Sequence, residues 1–126
     1  MNKRMTDRVP TEMQEQIWLF EWARLMEGQY PELKLMFHVP NEGKRSQIMG
    51  RQLKRMGLKP GVPDVILPVA KGRYHGLAIE MKNLRGRPSG DQLAWIECLR
   101  GVGWRAEICH GWKEAVDVIR AYLSGL

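Results

Sequence analysis

Apolar residues recur along the chain at two spacings, one typical of helices and the other of strands. The helical spacing predicts four helices, over residues 12–28, 46–56, 90–100 and 111–123. Short apolar runs predict four strands, over residues 33–39, 64–69, 76–82 and 104–109. Thr11, Ser46 and Ser89 precede the first three helices and are good N-cap residues. The predicted order is α-β-α-β-β-α-β-α.

The connections between these elements indicate how the strands pair. The link at residues 71–74 is short, which favours an antiparallel pair between the second and third strands. A helix separates the third and fourth strands, which favours parallel or mixed pairing there. We therefore expect an α/β fold, with helices on the faces of a mixed sheet. A chain of 126 residues is expected to form one domain over 11–126, after a flexible N-terminus at 1–10.

The formal net charge is +6, which points to an anionic partner, with nucleic acid first among the candidates. No apolar run is long enough to span a membrane, and we expect neither membrane association nor an organic cofactor. Cys98 and Cys109 lack metal-ligand spacing, and we expect reduced thiols in a cytoplasmic protein.

Candidate chemistry lies on the two central strands. Asp64 precedes the apolar run of the second strand, and Glu80 and Lys82 end the third. Side chains alternate across a strand, so Glu80 and Lys82 share a face, and pairing of the strands would bring Asp64 to them. Two carboxylates in one place favour a hard cation such as Mg²⁺ or Mn²⁺. Lys82 could orient or deprotonate a water there.

Basic residues are concentrated beside this proposed site. From residue 44 to residue 59 there are six Lys and Arg residues and no Asp or Glu. The candidate DNA contacts are Lys44, Arg45, Arg51, Lys54, Arg55, Arg85 and Arg87. Charge and spacing alone leave two classes open, a metal-dependent nuclease and a DNA-binding module without catalysis.

Several blocks of sequence, taken together, resemble a known family. Pro63-Asp64 followed by Glu80-Met81-Lys82 resembles the PD-(D/E)xK nuclease signature. The wider context resembles the VRR-NUC branch, in its standalone phage and bacterial form. The blocks that carry the resemblance are residues 11–16, 38–45, 61–64, 74–82, 89–92 and 109–112.

The resemblance implies a restriction-endonuclease-like core and DNA cleavage dependent on Mg²⁺ or Mn²⁺. Asp64, Glu80 and the Met81 carbonyl would be metal ligands, and Lys82 would handle the attacking water. Gln92 would help to position Lys82 or the water. A glutamate of the first helix would complete the metal site, with Glu15 placed ahead of Glu12.

The standalone members also resemble Holliday-junction resolvases, which implies a homodimer that nicks four-way junctions. Flaps, single strands and RNA remain alternative substrates. One departure from the family pattern is Glu42, where relatives often have glycine; its charge would slightly weaken the approach of phosphate.

Overall fold

The computed structural model describes residues 8–40 and 47–125, without the side chains of 47 and 48. The helices are α1 (Glu12–Met26), α2 (Gln47–Arg55), α3 (Gly90–Gly101) and α4 (Trp112–Leu123). The strands are β1 (Phe37–His38), β2 (Val65–Leu67), β3 (Leu77–Lys82) and β4 (Arg105–His110). A short 3₁₀ helix, Pro31–Leu35, precedes β1. The predicted order of helices and strands is confirmed.

The strands form one mixed sheet in the order β1-β2-β3-β4. β2 pairs with β3 in the antiparallel sense, and β4 pairs with β3 in the parallel sense, as predicted. Val65 lies opposite Ile79 in the first of these pairs. Continuing that register by one residue sets Asp64 opposite Glu80, which is the juxtaposition that the site requires.

Helices cover both faces of the sheet. Leu77, Ile79 and Met81 of β3 pack with α1 and α4 in the larger core. Ala78 faces the other way, where it packs with Ile96 of α3. Glu80 and Lys82 continue the phase of Ala78, so they also project toward the α3 side. This mixed sheet between helices is the restriction-endonuclease-like architecture that the sequence predicted.

Local sequence explains where the principal helices begin. The Thr11 side chain accepts from the Gln14 backbone N–H and caps α1, as predicted. Ser89 and Gln92 form a complete capping box at the start of α3. Gly111 precedes α4 with φ of 98°, a value that favours glycine. The predicted cap at Ser46 lies outside the described residues.

One sequence prediction is wrong in detail. The first strand was expected over 33–39, but residues 31–35 form the 3₁₀ helix and only Phe37–His38 pair with β2. Pro31 sets the first turn of that helix, and Leu33 and Met36 are buried by it.

None of the helices within the described ranges is long and apolar enough to cross a membrane.

Candidate active site

Asp64 is held at the start of β2 by hydrogen bonds from two directions. Its Oδ2 accepts from the Met81 backbone N–H of β3 at 2.9 Å. Its main-chain oxygen accepts from the Val39 N–H at 2.7 Å and lies 3.1 Å from His38 Nδ1. Because a carbonyl oxygen only accepts, Nδ1 of His38 carries the proton. His38 is therefore a strand-end residue that anchors Asp64.

The loop before Asp64 is fixed against α3. The Trp95 indole N–H donates to the Pro60 carbonyl oxygen at 3.0 Å. Gly61 has φ of +83°, and a Cβ there would lie 2.6 Å from the main-chain carbon of Asp91. Only glycine permits both this backbone conformation and this approach. The rigid position of the loop sets the position of the carboxylate that follows it.

Glu80 is the most constrained carboxylate of the site. It is buried, and Oε1 has no hydrogen-bond partner among the described residues. Burial, together with the neighbouring Asp64 carboxylate, raises the pKa of Glu80 from its usual 4.5 to about 9. A carboxylate with an unpaired oxygen beside a second carboxylate is a costly arrangement unless a cation or a proton is present.

Gln92 reaches Glu80 from the first turn of α3, and the capping box fixes how its amide is turned. The Ser89 backbone N–H can only donate, and it donates to Gln92 Oε1 at 2.8 Å. The amide NH₂ must then face away from Ser89, and it donates to Glu80 Oε2 at 3.1 Å. Ser89 therefore orients the hydrogen-bond donor that faces Glu80.

Lys82 lies between carboxylates of β3 and α1. Its Nζ is 3.6 Å from Glu80 Oε2 and 3.3 Å from Glu12 Oε1. The Lys82 side chain is only 8% exposed, whereas that of Glu12 is 48% exposed. Gly86 closes over the pair, because a Cβ there would lie 3.3 Å from Lys82 Cδ and 3.4 Å from Glu12 Oε1. The amine is thus confined beside the acidic pair.

Glu15, the glutamate placed ahead as a metal ligand, contacts the start of α4. It is buried, and its Oε1 accepts from the backbone N–H of Trp112 at 3.0 Å. A carboxylate at this position satisfies a free N–H in the first turn of α4 and complements the helix dipole. Glu12, the other glutamate considered, is the one that lies at Lys82.

The proposed DNA contacts lie on two segments. Arg51, Lys54 and Arg55 are exposed on α2, and Arg85 and Arg87 are exposed in the loop after β3. Lys44 and Arg45 lie outside the described residues, as does Glu42.

The loop after β3 has a defined shape. The Asn83 side-chain oxygen accepts from the Arg85 N–H at 3.0 Å. The Gly86 carbonyl oxygen lies 3.0 Å from His110 Nε2, which ties the loop to the end of β4. The loop therefore holds its exposed arginines beside Lys82.

The residues at the site fit a divalent cation. Within the described ranges no group of three His, Cys, Asp or Glu side chains could hold a metal by itself. Asp64 and Glu80 supply two facing carboxylates, and the unpaired Oε1 of Glu80 is an available ligand atom. Hard cations such as Mg²⁺ are commonly held by one or two carboxylates, with substrate phosphate and water as the other ligands.

The fold and this site define a restriction-endonuclease-like α/β protein with an acidic pair and a lysine at its centre. The family model described as VRR-NUC domain matches residues 8–113. The chain belongs to the VRR-NUC family, a nuclease-type DNA-processing family. A solved structure titled "VRR_NUC domain protein" is similar to it, with a TM-score of 0.81 and 29% identity over 93% of this chain and 91% of that one. No curated protein matches the chain.

Sequence reasoning identified most of this arrangement but missed two contacts. It named Ser89 as an N-cap and Gln92 as a site residue but did not predict that the two residues contact each other. The Ser-x-x-Gln pattern of a capping box was the signal that could have done so. It also gave no role to Gly86, whose close approach to Lys82 has no signature in a single sequence.

Proposed function

We propose that this protein is a metal-dependent endonuclease that hydrolyses DNA phosphodiester bonds. The observation that carries the proposal is the geometry of β2 and β3. Asp64 and Glu80 face each other, Glu80 Oε1 has no partner in the described chain, and Lys82 Nζ lies 3.6 Å from Glu80 Oε2. DNA binding alone requires no such combination of paired buried acids and a confined amine.

In this proposal Asp64, Glu80 and the Met81 carbonyl would hold Mg²⁺ or Mn²⁺. When bound, the ion would act as a Lewis acid toward the scissile phosphate and the attacking water. Lys82 donates from Nζ to the attacking water and orients it for in-line attack. Gln92 fixes the Glu80 carboxylate, and Glu12 fixes Lys82. The family implies products with 5′-phosphate and 3′-hydroxyl ends.

The exposed arginines and lysines of α2 and of the loop after β3 would contact the DNA backbone. Arg85 and Arg87 lie closest along the chain to Lys82, and α2 presents Arg51, Lys54 and Arg55. Contacts to phosphate carry no sequence information directly, so recognition would be by DNA shape. Each phosphate contact removed should lower the salt dependence of binding by about one unit of slope.

We propose further that two copies act together on a four-way junction. A two-fold axis would present two identical sites to two strands of like polarity, which allows symmetric nicking. The support is the resemblance to the standalone branch of the family and the basic surface beside the site. Light scattering is expected to give twice the 14.6 kDa of one chain; a single-chain mass at every concentration would contradict the dimer.

The proposed activity is tested by offering one set of substrates to matched variants. Four-way junctions, flaps, plain duplex, single strands and RNA are incubated with the wild-type protein and Mg²⁺ or Mn²⁺. Asp64→Asn and Lys82→Ala are expected to bind junctions normally and to cut them about 10²–10⁴-fold more slowly. Cleavage of RNA in preference to every DNA substrate would replace DNA by RNA in the proposal.

The controls are the same substitutions at residues remote from the acidic pair. Asp117 lies on the exposed side of α4, and Lys71→Ala removes an ion pair with Glu32 at 3.0 Å. Both should cut at the wild-type rate. Normal cutting by Asp64→Asn would refute the site, and binding without any cutting by the wild type would favour the non-catalytic DNA-binding module.

A further inference from the structure

A cleft of about 230 Å³ lies beside the candidate active site. Trp18 of α1 and Trp112 of α4 both line it, and both indoles are only partly buried. Pro10 and Leu84 add apolar surface, and the exposed Lys113 also belongs to its lining. The volume is several times the ~30 Å³ that one water occupies in the liquid, so the cleft has room for a group much larger than a water.

Two residues that line the cleft lie next to Lys82, the proposed catalytic lysine, along the backbone. Gly111, which lines the cleft, donates its N–H to the Lys82 carbonyl oxygen at 2.8 Å. His110, another lining residue, lies opposite Lys82 in the parallel pair of β3 and β4. Leu84 follows Lys82 by two residues. Lys82 Nζ lies 3.3 Å from Glu12 Oε1 of α1, the helix that supplies Trp18, so a strand whose phosphate reached Lys82 would lie at the end of α1 nearest the cleft.

The two helices that line the cleft, α1 and α4, are held together by a buried contact. The Glu15 carboxylate that caps Trp112 is buried, and it spans from α1 to α4. Gly111 has φ of +98°, and a Cβ there would lie 3.5 Å from both Glu15 carboxylate oxygens. This cross-link fixes the start of α4, and with it the backbone of Trp112, relative to α1.

We propose that this cleft binds a nucleobase unstacked from the substrate strand next to the scissile phosphate. Bases stack on indole rings, and each such stack strengthens binding about tenfold or more without selecting a sequence. Lys113 at the cleft and the arginines of the loop after β3 supply the positive charge that the flanking phosphates require. The occupant is a single-stranded nucleotide of the DNA substrate, so this inference rests on the proposed function.

The cleft explains how an enzyme that grips phosphates can prefer branched DNA. Extracting a base from intact duplex costs stacking and pairing energy, and the cost is smallest where the base is already unpaired. Junction points and flaps provide such bases. The cleft would thus favour structured substrates over plain duplex by lowering the cost of engagement at the branch.

The test combines a scan of the DNA with substitutions in the protein. A fluorescent flap substrate carries one abasic nucleotide at each position in turn around the branch, and its binding is measured by anisotropy in EDTA. One position is expected to weaken wild-type binding about tenfold. Trp112→Leu and Trp18→Leu should lose the same factor on the intact substrate and nothing further from that abasic nucleotide. Phenylalanine at either position should restore most of the affinity.

Trp22→Leu, one turn along α1 from Trp18, is the matched control, because Trp22 faces Arg120 of α4 rather than the cleft. It should bind like the wild type. A flat abasic profile with the wild-type protein overturns the inference and needs no folded variant. Equal losses in Trp22→Leu overturn it as well. Because binding in EDTA is independent of cutting, a failure of the proposed nuclease activity would be seen separately in the cleavage assay.

Discussion

Glu12 and Glu15 lie almost one turn apart on α1 and reach different neighbours. Glu12 contacts the Lys82 amine at 3.3 Å, whereas Glu15 accepts from the Trp112 N–H at 3.0 Å. The first contact holds the amine that we propose to act on the attacking water, and the second joins two helices. Sequence alone could not separate them, because both are acidic residues in the first turns of a helix, where the dipole favours either.

Replacing each glutamate by glutamine should separate activity from stability. Glu12→Gln is expected to slow DNA cleavage about tenfold, because Lys82 loses a carboxylate that holds it. Its unfolding free energy should change by less than about 1 kcal/mol, since Glu12 is half exposed. Glu15→Gln should lower the unfolding free energy by about 1–2 kcal/mol, because a buried charged acceptor at a helix start is lost.

Urea denaturation and initial cleavage rates measure the two effects on the same protein samples. Glu21→Gln, an exposed glutamate of α1, is the control and should change neither quantity. The assignment would be reversed by an unstable Glu12→Gln that cuts normally and a stable Glu15→Gln that does not cut.

A substitution at Gln92 can likewise distinguish its role in the stability of α3 from its role at the site. Gln92→Glu keeps the Ser-x-x-Glu pattern of a capping box, so α3 should remain as stable within about 0.5 kcal/mol. It also replaces the amide donor to Glu80 by a third negative group, which is expected to slow cleavage at least tenfold at neutral pH. Circular dichroism melting and cleavage rates test this. Wild-type cleavage by Gln92→Glu would show that the 3.1 Å contact with Glu80 has no role.

The convergence of Asp64, Glu80 and Lys82 followed from the sequence because it depends on two local rules. Period-two alternation places Glu80 and Lys82 on one face, and a short link makes β2 and β3 antiparallel neighbours. The partner of Lys82 on α1 depends instead on how a helix is rotated over the sheet. That rotation is set by tertiary packing, so the choice between Glu12 and Glu15 was beyond the sequence.

Among the elements, α3 positions the site from two places. Its capping box orients Gln92, and its second turn holds the loop before Asp64 through the Trp95 contact with Pro60. The close approach of Gly61 to Asp91 makes that loop and the helix one unit. A disturbance at the joint should therefore reach Asp64 although no atom of the proposed active site is changed.

The same substitution, glycine to alanine, at Gly57 and at Gly61 tests this joint. Both glycines have positive φ, +105° and +83°, but a Cβ at Gly57 meets nothing within 4 Å. Gly57→Ala should cost only the backbone strain, about 1–2 kcal/mol. Gly61→Ala should cost a further 1–3 kcal/mol or so from overlap with Asp91 and should also slow cleavage. Denaturation and rate measurements that rank the two variants equally would show that the joint is not rigid.

The apolar pattern predicted where α1 lies better than which face it buries. Leu19 and Ala23 are buried, but Met13 is 74% exposed and Ile17 is 45% exposed. The buried line runs through Glu15 instead, because its carboxylate is satisfied by α4. A pattern of apolar residues cannot reveal a buried polar residue whose partner lies almost a hundred positions away.

At the scale of the whole molecule, the site opposes the stability of the fold. Glu80 has its pKa raised to about 9 from 4.5, so the folded chain retains a proton that the unfolded chain has released above pH 4.5. The unfolded state then binds fewer protons than the folded state. Stability from this group is therefore present below about pH 4.5 and is lost as pH rises toward about 9.

Glu80→Gln should remove this pH dependence. In EDTA, the unfolding free energy of the variant minus that of the wild type is expected to increase as pH rises from 5 to 8. The increase should be at most about 1.4 kcal/mol per pH unit. Added Mg²⁺ should narrow the difference, because it binds the wild-type carboxylates and stabilises only the folded state that holds them. Denaturation at each pH measures this difference. The same pH dependence of stability in both proteins would show that the surroundings of Glu80 do not disfavour its charged form. A more stable variant that no longer cuts DNA would show that the acidic pair is retained for chemistry, at the expense of the fold.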